Sequence, residues 1–186
     1  MALARVRAAT TEDVGTLTAL HRSTWRVAYR ELLPPETLDT LDSPGIRQAW
    51  AETVAGGATV LLATEGDEPV GFVVAGPAPD AEVAAADGSL PADAVRTALV
   101  STLLVEPRWG RRGHGGRLLA SAAATLREAG ATRGITWVAA EDSASLSFYR
   151  RAGWEPDGTV RTLDAAGRVL REVRLTGSLD LTLSAG

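Results

Sequence analysis

The sequence predicts a mixed α/β domain, and three observations predict it. Apolar runs of strand length at 59–63, 70–75, 98–105 and 135–140 are separated by turn-rich or helical stretches. Helical spacing appears at Val14, Leu17 and Leu20 and again at Leu118, Leu119, Ala122 and Leu126. Of the 186 residues 45% are hydrophobic, enough to bury one substantial core, so a single domain over 1–186 is expected.

Residues 3–8 form a short first strand. Thr10 or Thr11, followed by Glu12 and Asp13, marks a helix start with acidic side chains in its first turn, and this helix runs to about Trp25. Pro34 and Pro35 break the pattern and open a second, short helix at 36–41, so the front segment holds two helices and a connecting loop. The turn Glu65-Gly66-Asp67-Glu68-Pro69 joins the runs 59–63 and 70–75 into an antiparallel hairpin. Residues 77–93 carry Pro, Gly, Ala and acids without periodicity; they read as an exposed acidic loop, the segment expected to be least ordered.

The run 98–105 has the length of a buried strand, and Pro107 ends it. A glycine-rich turn leads into a helix closed by Gly130. After the strand 135–140, Asp142 caps a short helix whose Ser145, Phe148, Tyr149 and Ala152 share a face, and Gly153 stops it. Two further strands, 158–163 and 169–175, flank the turn Asp164-Ala165-Ala166-Gly167.

Composition excludes several kinds of chemistry. The 19 basic residues are all Arg and face 23 acidic ones, for a net charge of −4, which rules out a strongly basic nucleic-acid binder. Without Lys there is no P-loop lysine and no Schiff base; without Cys there is no disulfide, thiolate metal site or thioester intermediate on the enzyme. His21 and His114 are too few and too far apart for a metal site, and none is expected. The chain lacks the apolar run of a signal peptide or membrane span, so a soluble, cytoplasmic protein is expected.

The richest stretch is Val105-Glu106-Pro107-Arg108-Trp109-Gly110-Arg111-Arg112-Gly113-His114-Gly115-Gly116-Arg117-Leu118-Leu119. Glycines let the backbone approach a ligand closely, and the helix that follows leaves amide hydrogens free at its first turn, beside several guanidinium groups. Such a place suits a diphosphate. A dinucleotide-binding oxidoreductase fits badly, because the G-x-G-x-x-G pattern starting at Gly113 would need Gly or Ala where Leu118 stands.

At these residues the sequence resembles the GNAT superfamily of acyl-coenzyme A dependent N-acetyltransferases. Val6-Arg7-Ala8-Ala9-Thr10 with Asp13, Trp25 and Tyr29 is similar to the family's first strand and helical region. The stretch from Val105 is similar to its coenzyme A loop, Q/R-x-x-G-x-G/A, with Gly110 where Gln or Arg is usual. Residues 142–154 are similar to N-x-x-A-x-x-F-Y-x-x-x-G-F, with Asp142 and Ser145 in place of Asn and Ala.

The resemblance implies a mixed, mostly antiparallel sheet with helices on both faces and a splayed central strand pair. It implies acetyl-CoA as acyl donor, its pantetheine arm along the backbone of Leu103, Leu104 and Val105. The diphosphate would lie on Arg111, Arg112, Gly113, His114, Gly115, Gly116 and Arg117, with further contacts from Asp142, Ser145 and Phe148. Tyr149 would donate a hydrogen bond to the departing sulfur, and a backbone amide near Leu104 or Val105 would steady the thioester oxygen. The acceptor would be a small-molecule or peptide amine, with Trp25 and Tyr29 lining its pocket. No nucleic-acid or membrane partner is implied, and a homodimer is left open.

Many relatives carry a carboxylate on the strand at 98–105, where this chain offers only Ser101 and Thr102. A water chain, Glu65, Glu106, Glu141 or an acid of the 80–87 loop is left as the source of the base. That gap also sustains the alternative of a non-catalytic acyl-CoA-binding regulatory module.

Overall fold

The computed structural model describes residues 3–165 and 167–181. Among them the strands are β1 (Ala4–Ala8), β2 (Thr59–Glu65), β3 (Glu68–Pro77), β4 (Thr97–Val105), β5 (Arg133–Ala139), β6 (Glu155–Ala165) and β7 (Arg168–Ser178). The helices are α1 (Val14–Ala28), α2 (Pro35–Asp39), α3 (Pro44–Ala55), α4 (Asp80–Val83), α5 (His114–Glu128) and α6 (Ser143–Arg151). One sheet runs in the order β1-β2-β3-β4-β5-β7-β6, antiparallel throughout except for the parallel pair β4–β5. A parallel pair needs a long crossover, and α5 provides it.

The apolar runs are continuous because this sheet is covered on both sides. Along β2, Val60 and Leu62 pack with Val14, Leu17, Leu20 and Trp50 of α1 and α3. Their alternating neighbours Leu61 and Ala63 pack with Leu118, Leu119, Ala122 and Leu126 of α5. The third helix, α3, is an element that the sequence pattern did not announce. It opens on Pro44 as α2 opens on Pro35, and a single buried aromatic, Trp50, replaces a full apolar stripe.

The predicted start of α1 is present as a reciprocal cap. Thr10 donates its amide to Asp13 at 2.8 Å, and the two Arg7 nitrogens hold the same carboxylate at 2.7 and 2.8 Å. The guanidinium first, and then the Thr10 amide, hold the Asp13 carboxyl far below its ordinary range against the opposing cost of burial.

The 77–93 stretch departs from the expected free loop. Its α4 buries Val83 against Ile135, while Arg174 donates to the carbonyls of Glu82 and Ala84 at 2.8 and 2.9 Å. Glu82 also accepts from the indole of Trp137 at 2.6 Å, and Asp93 pairs with Arg133. The acids that give the segment its loop-like composition are what tie it to the sheet. The closing strands run longer than the pattern, with a register shift between Pro156 and Val160, and β7 inserts between β5 and β6.

Gly134 and Gly177 are register partners across β5 and β7, and together they form a slot for the fully buried Trp154. A β-carbon at either position would overlap the indole, whose nitrogen donates to the carbonyl of Ser178 at 3.1 Å. Gly177→Ala is therefore expected to destabilise the fold by about 1–3 kcal/mol, read as a lowered denaturation midpoint. A second expectation concerns acid. Asp13 has a depressed pKa in the folded state, so its contribution is full above the ordinary value of 3.8 and fades as pH falls below it. The stability gap between wild type and Asp13→Asn, measured by urea denaturation across pH, should accordingly narrow in acid.

Candidate functional site

The strands β4 and β5 pair only from Thr97 to Leu99 against Arg133 to Ile135, and then part. The fork begins where the Thr136 hydroxyl donates to the carbonyl of Val100 at 2.8 Å. Just beyond it the β3–β4 register shifts, leaving Ser101 unpaired as a bulge whose hydroxyl reaches the carbonyl of Val74 at 3.2 Å. A bulge bends its strand and changes which edge each residue addresses.

The Glu106 amide donates to Val70 at 2.9 Å, so alternation turns the main chain of Leu104 toward β3 and that of Leu103 and Val105 into the fork. This corrects the expectation for Leu104, whose amide is spent on the sheet. Leu103 and Val105 keep free main-chain groups facing the gap.

The fork opens into a cavity of about 360 Å³. Thr102, Leu103 and Leu104 line one wall and Thr136, Trp137 and Val138 another, with Ser145 and Tyr149 from α6. Trp25 of α1 and Tyr29, just past its end, line it too, their rings 4.8 Å apart.

At the end of β4 the chain turns through Pro107–Trp109, where Trp109 and Gly110 donate back to Glu106 and Pro107. Arg111 (φ +62°) and Gly113 (φ +79°) are both left-handed, and α5 starts at His114. The amides from Arg111 through Gly116 find no acceptor among the described residues. Gly115 lies flat on Phe148: a β-carbon there would stand 3.2 Å from the ring and 3.8 Å from Leu103. The loop therefore brings its free donors close to the fork and to α6.

The side chains of this loop are less free than its amides. His114 was expected beside the ligand, but its ring is buried and its Nε2 meets Glu65 at 2.8 Å, leaving only its main chain to the loop. Arg112 donates to the same carboxylate at 3.1 Å and lies over Trp109, 4.7 Å from the ring centre. Arg117 donates to the carbonyl of Arg112 at 2.9 Å, and Arg108 pairs with Glu106. Arg111 has no ion-pair partner among the described residues. Asp142 is the cap of α6, accepting the amide of Ser145 at 3.0 Å and its hydroxyl at 2.6 Å. Those contacts turn both side chains toward each other.

Tyr149 stands at the floor of the cavity between Phe148 (ring centres 5.0 Å) and Trp154 (5.5 Å). Burial pushes its phenol up to about 12, against a smaller opposite pull from the Thr136 hydroxyl. Tyr29 is also pushed up to about 12, by burial first and then by the charges of Asp142 and Glu172. At neutral pH both phenols keep their protons.

The carboxylates considered from sequence do not line this cavity. Glu65 and Glu106 are paired with cations of the loop, Glu141 is exposed, and Asp87 is exposed and bound to Ser89. The cavity is lined instead by Asp142, Asp164 and Glu172, the last held by the Arg161 Nε at 2.6 Å. Asp164 and Glu172 were missed because they come from β6 and β7. Alternation along β7 puts Leu170 and Glu172 on one face, but only the insertion of β7 beside β5 turns that face to the fork. Among the described residues no group of three or more His, Asp or Glu could hold a metal ion, and no helix is long and apolar enough to cross a membrane.

The family model of the acetyltransferase (GNAT) family matches residues 17–154. A protein of Mycobacterium tuberculosis named a probable N-acetyltransferase is 28% identical over 161 residues, covering 85% of this chain and 83% of its own. Among solved structures, PaiA N-acetyltransferase of Thermoplasma acidophilum, in complex with coenzyme A, has a TM-score of 0.69 at 16% identity, over 95% of this chain and 99% of its own. YncA of Salmonella typhimurium, with its cofactor acetyl-CoA, has a TM-score of 0.70 at 17% identity, over 99% of this chain and 98% of its own. A match that begins in α1 and ends at Trp154, taking in both arms of the fork and the loop that joins them, means that this chain belongs to the acetyltransferase (GNAT) family and is an acyltransferase.

Proposed function

We propose that the chain moves an acetyl group from acetyl-CoA to a primary amine by direct attack within a ternary complex. The observation that carries this reading is the run of unpaired amides from Arg111 to Gly116 at the mouth of a fork whose floor is Tyr149. Amides at a helix start are a ready anion site, and these fit a diphosphate. The free edge of β4 at Leu103 and Val105 fits a pantetheine amide chain, which pairs as an added strand would. When bound, acetyl-CoA supplies the activated thioester. A main-chain donor on the same edge, at Leu103 or Val105, would meet the thioester oxygen as charge develops there.

Tyr149 acts as a hydrogen-bond donor to the sulfur. Moving its proton fully, from a phenol near 12 to a thiolate of pKa ~8.5, would cost about 5 kcal/mol. Sharing the proton costs far less and still stabilises the leaving thiolate. With no Cys in the chain, no thioester forms on the protein, which favours direct transfer.

The amine must be neutral when it attacks. That costs about 4.6 kcal/mol at pH 7 for a lysine-like amine and about 1.4 for an α-amino group. The acceptor end of the cavity carries Asp142, Asp164 and Glu172 and, among the described residues, no basic side chain, so it attracts the ammonium form and offers a carboxylate for its proton. These acids answer the missing carboxylate of β4, which was the ground for a non-catalytic coenzyme-binding module.

Two expectations follow from the cavity. Tyr149→Phe should lower kcat about 10- to 100-fold in a thiol-release assay while leaving the KM for acetyl-CoA nearly unchanged; full activity would remove Tyr149 from the reaction. Glu172→Gln removes one negative charge and leaves Arg161 paired with Glu82 alone. It should raise the KM for the amine about tenfold and leave that for acetyl-CoA in place, measured by varying each substrate in turn.

A further inference from the structure

We infer that Glu65, which does not line the cavity and takes no part in the transfer chemistry, is the positioning residue that gives the diphosphate loop its shape; this rests on the acetyl-CoA reading proposed above. Glu65 is the last residue of β2, at the turn of the β2–β3 hairpin. Its two carboxylate oxygens divide their work. Oε1 accepts from Arg112 at 3.1 Å and Oε2 meets the ring of His114 at 2.8 Å. One side chain thus grips the residues on either side of Gly113.

The loop needs such a hold. Arg111 and Gly113 are both left-handed, a conformation that a residue with a β-carbon keeps only when its surroundings impose it. The backbone cannot impose it alone, because the amides from Arg111 to Gly116 bond to nothing among the described residues. The ties are made by side chains. Glu65 holds Arg112 and His114, Arg112 lies over Trp109, and Arg117 reaches back to the carbonyl of Arg112. The His114 side chain is 1% exposed and that of Glu65 18%, so the His114 half of the anchor is shielded from water, while the Arg112 half is open to it.

Charge makes the inference decidable by sign. A carboxylate beside a diphosphate site repels the ligand, and it also ties up Arg112, one of the cations nearest the loop. If Glu65 were a bystander, removing it would tighten coenzyme binding. If it holds the free amides in their convergent arrangement, removing it weakens binding despite the lost repulsion.

The test compares two acyl donors, acetyl-CoA and S-acetylpantetheine, which lacks the diphosphate. Glu65→Ala is expected to raise the KM for acetyl-CoA about tenfold, with kcat and the KM for the amine unchanged. Its kcat/KM for S-acetylpantetheine should equal that of wild type, a selectivity that general destabilisation would not give. Glu65→Gln keeps one acceptor oxygen and should fall between the two; calorimetry of coenzyme A with that variant decides the question should the alanine variant not fold. Unchanged or tighter coenzyme binding, or an equal loss with both donors, would overturn the role of Glu65. A wild-type enzyme that uses both donors equally well would overturn the diphosphate loop itself, and this inference with it.

Discussion

The structure depends on a parallel strand pair that is allowed to pair only briefly. In a sheet that is otherwise antiparallel, β4 and β5 share a register from Thr97 to Leu99 and then diverge at the bulge of Ser101. Because the pair is parallel, the chain must cross over between its strands, and the crossover helix α5 begins where β4 ends. The fork and the helix start are therefore two results of one topological fact. Unpaired main chain on the β4 edge and unpaired amides at the head of α5 are thereby brought side by side, and the side chains of Glu65, Arg112 and Arg117 hold the loop between them in shape.

Charge divides the cleft between these ends. The loop offers amide dipoles and the unpaired Arg111, while the far end carries Asp142, Asp164 and Glu172. Two arginines of the last two strands are committed to structure. Arg161 and Arg174 flank the ring of Trp137, at 4.2 and 5.7 Å from its centre, and bind Glu82, Asp157 and Glu172 across three segments of chain. This network fixes α4 over the sheet and holds the Glu172 carboxylate at the cavity wall. An acidic chain can present an anion site because its backbone, more than its side chains, supplies the positive end.

Much of this was legible in the sequence where the information is local. The cap at Thr10 and Asp13, the 65–69 turn, the glycine loop before α5 and the Asp142 cap each depend on neighbours within a few residues, and each is present. The fork, implied by family resemblance, is present as well. What was not legible depends on sheet order and burial. His114 looked like a loop residue because nothing nearby in sequence announces Glu65. Leu104 looked available because the parity of β4 is set by its register with β3. The acids of β6 and β7 came to line one cavity with Tyr149 only through the insertion of β7. The 77–93 segment is largely exposed, as expected, but its order was not legible, since Glu82 and Asp93 find their arginine partners on the distant strands β6 and β5.

The indole of Trp154 occupies the hollow left by two facing glycines, and its other face leans on Tyr149, whose carbonyl also receives the Trp154 amide at 3.0 Å. The phenol at the cavity floor is thus levelled by a wedge whose seat consists of hydrogen atoms. Evolutionary drift at Gly134 or Gly177 is closed off even though neither would meet a substrate. A library that spared only the residues lining the cleft would lose its active members there first.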